Sequence, residues 1–376
     1  MIFVCCLKLI MVAIAAGIAF SPLNKSLSVF SGYCLILLTI ALPFTAIQRP
    51  MQLKIKPSLF CLLCLIIVLI SSFLAEPAFL DFDLLKDILM FICTYAAIAV
   101  REQTFRQRDL KHILYIGKAL SLVYVAYTFL PFSFRYTISN EWGTKAFTLS
   151  MGNPNATAIS VMFCIMLLII DYYQTNSNAV RFLDYVTALL LLYTVYLLES
   201  RTVMFCSIIL LLLPVLRKVR VNMVCVFMAF LIPALSVGLQ IYLAERGTVF
   251  ILGKPLASGR DLLYIAYFKQ LLSDPMGYWI GKIGIHRLAN YHNAPLAIVM
   301  NFGVVGLVIY YLFWYFEIKK NINCDGINIV RTVATFGMLM FFIHSSAEAA
   351  PMLGSVLYGA QMMIICRVAK DEFIKE

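Results

Sequence analysis

Twelve apolar runs of roughly the length an α-helix needs to cross a bilayer, about 17 to 25 residues, recur along this chain and leave few folds open to it. They lie at approximately 2–20, 27–47, 57–75, 82–100, 113–132, 154–172, 183–200, 202–216, 223–243, 294–316, 327–345 and 352–368. The first lacks the basic start of a secretory signal, carries Lys8 in its middle and precedes further runs, so it reads as a retained helix. With 62% apolar residues, 13% charged residues and a mean hydropathy of +0.90, there is too little polar surface to clothe a soluble core. The expectation is an all-α polytopic membrane protein with about 12 transmembrane helices. It would form a single integral membrane domain over residues 1–376, with one long periplasmic loop containing an amphipathic helix.

Charge sets the orientation. With both termini in the cytoplasm, alternate loops hold sixteen Lys and Arg on the inner side, among them Arg49, Arg108, Arg217 and Lys319. The short outer connections hold four: Lys25, Arg135, Lys145 and Arg201. Such an excess of cytoplasmic cations accounts for the net charge of +11 without nucleic acid as a partner. It also places the loop at 244–292, between helices 9 and 10, on the outer face, which in a bacterial inner (cytoplasmic) membrane is the periplasm. Ten of the eleven cysteines fall within apolar runs, including Cys61 and Cys64, and read as packing residues rather than a disulfide framework or a zinc motif.

The outer loop carries its own helix signals. Ser258, Gly259, Arg260 and Asp261 form a capping-box pattern, and Asp274 with Pro275 marks the stop. Between them Leu263, Tyr264, Tyr267, Phe268, Leu271 and Leu272 make one apolar face, expected to lie in the interface against lipid or the bundle. Glycines 277, 281 and 284 then lead to His286, Arg287 and His292. Six loop cations, Arg246, Lys254, Arg260, Lys269, Lys282 and Arg287, stand against Glu245, Asp261 and Asp274, a balance of +3 that suits an anionic lipid head group.

His292 precedes Asn293, which can cap a helix starting near Pro295. A helix N-terminus favours a neutral imidazole, the form a general base needs; the alternative is an interfacial histidine with no chemistry. Arg201, between two apolar runs, either faces a cavity or snorkels beside Glu199. Arg260 in the first turn of its helix is poorly placed for the dipole, which leaves either a solvated residue or an anion site. Gly303 and Gly306 offer a small face for close helix packing. Lys86, Lys118 and Arg331 lie within apolar runs and raise an ion pathway; Lys86 and Lys118 sit near helix ends, where they can snorkel, and His344 and Glu348 are placed to line an outer cavity. No zinc spacing, Walker loop, Asp-x-Asp pair or nucleophile elbow is present.

The run His292, Asn293, nine residues, Gly303, Val304, Val305, Gly306 resembles the His-[Asn/Ser/Gln]-x9-Gly-x-x-Gly signature of the O-antigen polymerase and O-antigen ligase superfamily. In the same order, Gly152, Asn153, Pro154 and Asn155 resemble the family's Gly-Asn-Pro-Asn element, and Glu199, Ser200, Arg201 and Thr202 its arginine motif. Ser258 to Arg260 followed by Asp274 to Gly277 is similar to the start of its periplasmic loop helix, so the likeness covers roughly 150–310. What it implies is glycosyl transfer at the periplasmic face from an undecaprenyl-pyrophosphate-linked glycan donor to an acceptor glycan on a lipid carrier, or to lipid A core, without metal or other cofactor. His292 would be the general base, and Arg201 and Arg260 would hold the pyrophosphate. Arg246, Arg287, Tyr291, Asn293 and Asn155 would line the substrate pocket. Membrane lipid is a further partner, and a chain-length regulator is one the family allows. Polymerase and ligase stay open at this point, as does a transporter or flippase of lipid-linked sugars.

Overall fold

The computed structural model describes residues 107–129, 136–139, 145–148, 154–216, 221–246, 250–251, 254–255, 260–273, 292–322 and 329–346, with isolated positions within 57–67 and at 279. Helices dominate: α1 (Gln107–Phe129), α2 (Pro154–Gln174), α3 (Asn178–Leu197), α4 (Arg201–Leu212), α5 (Met223–Arg246), α6 (Arg260–Ser273), α7 (Ala294–Ile322) and α8 (Ile329–His344). Two short antiparallel hairpins occupy connections, β1 (Tyr136–Ser139) with β2 (Lys145–Thr148) and β3 (Phe250–Ile251) with β4 (Lys254–Pro255). Among the described residues four segments are long and apolar enough to cross a membrane: Leu110–Phe129, Thr157–Gln174, Asn178–Leu197 and Met223–Leu243. Helices α4 and α8 are apolar but shorter. The first, second, fourth and twelfth expected spans lie outside the described residues, as do most positions of the third.

Helix α2 is the hub. Every residue from Thr157 to Ile170 is buried, the state of a helix that is apolar all round and enclosed by neighbours, here α1, α3, α4 and α8. Gly117 lets α1 approach it: a Cβ there would stand 2.5 Å from Leu167 Cδ1. Thr128 and Thr194 share a hydroxyl hydrogen bond of 2.9 Å that ties α1 to α3. Lys118 does not snorkel. Its ammonium pairs with Asp171 of α2 and, at 3.1 Å, with Asp184 of α3, whose carboxylate is almost wholly buried. A buried charge is tolerated only when paired, so the three helices are fastened to one another by this cluster.

Helix α5 contains Pro233, which lacks an N–H and crowds the preceding turn. In an apolar helix the carbonyls around such a proline are met by neighbouring helices. Tyr311 of α7 donates to the Phe230 carbonyl at 3.4 Å, and the Asn293 amide donates to the Pro233 carbonyl at 2.7 Å. Phe230, Tyr310, Tyr311, Trp314 and Phe342 pack as one aromatic cluster that joins α5, α7 and α8.

Helix α7 is broken. At Gly303 the backbone takes φ 72° and ψ 178°, a non-helical conformation open in practice to glycine alone. Gly303 was expected to serve close packing; its first role is to interrupt the helix. His344, expected beside an outer cavity, is completely buried at the end of α8, and Arg331 is buried with its guanidinium donating to Asn321 Oδ1 at 3.4 Å.

Candidate active site

Two non-glycine residues among those described have a left-handed backbone: Glu199 at φ 52° and His292 at φ 46°. Each stands beside a sequence-selected site residue or is one. An L-residue gives up on the order of 1 to 2 kcal/mol in that region, so its surroundings have to enforce it.

The first lies in the turn between α3 and α4. Leu198 closes α3 by donating to the Thr194 carbonyl, and Glu199 then occupies the left-handed position that glycine usually takes after a helix. Ser200 is extended, and Arg201 becomes the first residue of α4. This tight reversal holds Arg201 partly inside the protein. Burial, and after it the positive charge of Arg260, lowers the pKa of the Arg201 guanidinium. Two arginines 59 positions apart in sequence, each at the start of its helix, thus lie within electrostatic range of each other.

The charge of Arg260 acts on Arg201 because α6 docks on the bundle. Tyr264 and Tyr267 are buried against Val237 of α5 and Leu296 of α7, with Leu263, Ile241 and Leu271 around them. Of the two orientations open to this loop helix, the apolar face turns to the bundle rather than to lipid. The face is also narrower than its sequence pattern, since Phe268 and Leu272 are 38% and 74% exposed.

His292 is held from both sides. Tyr264, one turn beyond Arg260, donates its hydroxyl to the His292 carbonyl at 3.2 Å. On the other side Asn293 is completely buried and commits its whole amide to protein. Its Oδ1 accepts from the Leu296 N–H at 3.0 Å, the cap expected from sequence, and its Nδ2 donates to Pro233 as described above. Asn293 thus holds the turn, and the pocket-lining role the resemblance implied for it meets a side chain already engaged.

The elements converge on one end of the bundle. The Ala294 N–H donates to the Ser345 carbonyl at 3.0 Å, and the Cys206 thiol to the Met340 carbonyl at 3.6 Å. The start of α7 and the start of α4 consequently both lie at the C-terminal end of α8. The short turn between α2 and α3 brings the start of α2, with half-buried Asn155, to this same end. Arg246 is the last residue of α5. Arg287, Tyr291, His286, Ser258 and the glycines at 277, 281 and 284 lie outside the described residues. Among the described residues no group of three or more His, Cys, Asp or Glu is placed to hold a metal ion. The site also includes Tyr264 and Glu199. Tyr264 entered the sequence reading only as part of an apolar face, although its spacing of four from Arg260 already put the two on one side of a helix.

Comparison with known proteins adds no relative: no protein-family model matches the chain, and no curated protein matches it.

Proposed function

We propose that this protein is an O-antigen polymerase, a membrane glycosyltransferase that joins undecaprenyl-pyrophosphate-linked oligosaccharide repeat units at the periplasmic face of the bacterial inner membrane. The observation that carries the reading is that Arg201 and Arg260, at the starts of two different helices, lie within electrostatic range of each other. Two like charges at a partly buried position repel, and an anion between them turns that cost into binding. Guanidinium forks match phosphate oxygens, and donors aimed at the charge that develops on a leaving pyrophosphate can serve in place of a divalent ion.

In the reaction so framed, His292 takes the proton from an acceptor sugar hydroxyl. That oxygen bonds to the anomeric carbon of the donor, the bond from that carbon to the pyrophosphate oxygen breaks, and undecaprenyl pyrophosphate leaves with its charge held by Arg201 and Arg260. A positioned base supplies a factor of about 10² to 10⁴. His292→Ala is expected to abolish glycan extension while the protein still inserts and folds, and Arg201→Lys or Arg260→Lys to lower the rate about 10- to 100-fold, the worth of a hydrogen bond to a charged group. Full activity in His292→Ala ends this mechanism.

Deleting the gene and examining the lipopolysaccharide separates the two members of the superfamily. Core carrying a single repeat unit means polymerase; bare core with polymer retained on its lipid carrier means ligase, which transfers the finished chain to lipid A core. The break in α7 favours a third reading, since interrupted helices build the substrate sites of many transporters. Purified protein that moves lipid-linked sugar across vesicles but extends no glycan would establish a transporter or flippase.

A further inference from the structure

We infer that Tyr264 is a positioning residue for His292: its hydroxyl fixes the left-handed turn that presents the imidazole, and so ties the place of the proposed base to the helix that carries Arg260. The catalytic half of this statement rests on the reading of His292 as the base. The positional half rests on geometry alone.

Tyr264 is completely buried, yet it delivers a phenolic hydroxyl 3.2 Å from the His292 carbonyl, 28 residues further along the chain. A buried hydroxyl needs a partner, and a backbone carbonyl in a left-handed turn is one that no regular helix or strand would engage. Two further ties on this turn run elsewhere. Asn293 anchors its far side to the Pro233 carbonyl of α5, and the Ala294 N–H anchors the start of α7 to α8. Tyr264 links the turn to the outer-loop helix. Because Arg260 lies one turn earlier on α6, a single helix carries both a charge that acts on Arg201 and the hydroxyl that sets the His292 backbone. A shift of α6 against the bundle would move both together. This is how a loop helix can keep a base and a phosphate clamp in register, a relation in which misplacement by about 1 Å is costly to rate.

The test uses the full-length protein in nanodiscs with histidines labelled at Cε1. The chain has four histidines, so the His292 signal is assigned by its loss in His292→Gln. Tyr264→Phe removes only the hydroxyl. It is expected to shift and broaden the His292 signal while the other three stay in place, and to lower kcat for glycan extension about tenfold or more with KM within about twofold. Tyr267→Phe, on the same buried face, is expected to leave both readouts unchanged. An unmoved His292 signal in Tyr264→Phe overturns the inference, as does an equal shift in Tyr267→Phe. Loss of a folded, monodisperse protein in Tyr264→Phe also overturns it, by showing that the hydroxyl serves general packing. If the signal responds as expected while wild-type protein extends no glycan, the positional statement stands and the enzymatic reading falls.

Discussion

Asn293 shows how much one side chain settles at this site. Its oxygen caps α7 and its nitrogen reaches the carbonyl of Pro233, with a second, longer contact to Ser236 at 3.4 Å. Asn293→Ala leaves the buried Leu296 N–H without its acceptor and is expected to cost about 2 kcal/mol, read as a lower thermal midpoint in detergent. Aspartate ranks with asparagine as a helix cap, yet Asn293→Asp is expected to be no better than alanine here, because a carboxylate oxygen would face the Pro233 carbonyl at 2.7 Å. An Asp variant as stable as wild type would show that the tether is dispensable. The cap was legible in the sequence, since it depends on residues three apart. The tether was not, since it joins positions 60 apart that only the packing of α5 beside α7 brings together.

Helices α6 and α7 each departed from their sequence pattern for a physical reason. A loop helix with tyrosines along one side is compatible with a lipid interface, and periodicity alone cannot distinguish lipid from protein as the apolar surroundings. Burial of Tyr264 and Tyr267 against Val237 and Leu296 decided it. In α7 the spacing of Gly303 and Gly306 suggested a packing face, whereas the positive φ at Gly303 makes it a breakpoint. Gly303→Ala is expected to lower stability by about 1 to 3 kcal/mol through backbone strain. Gly238→Ala in α5, where a Cβ would meet nothing within 4 Å, is expected to be neutral or to gain a few tenths from helix propensity. Equal midpoints for the two variants would refute the strain at Gly303.

For the whole molecule the decisive property is which face of the membrane the convergent end occupies. The start of α2, the turn before α4 and the start of α7 share that end, and the charge count predicts that it lies outside. A cysteine at Leu272, which is 74% exposed on α6, introduced into a variant lacking the native cysteines, is therefore expected to react with a membrane-impermeant maleimide in unlysed spheroplasts. Labelling that appears only after lysis would reverse the orientation. The helical class with membrane-length apolar segments, the boundaries of the central apolar helices to within about six residues and the candidate trio Arg201, Arg260 and His292 came from sequence, because hydropathy, caps and motif spacing are local. Which helix is enclosed, how Lys118 is paired by two other helices and whether two arginines 59 positions apart come within electrostatic range are properties of tertiary contacts between distant segments. The stretch from His292 to Gly306 belongs to both kinds: its residues announce a helix start and two glycines, but the strained turn, the Tyr264 tie and the break within α7 exist only once α5, α6 and α8 are packed around it.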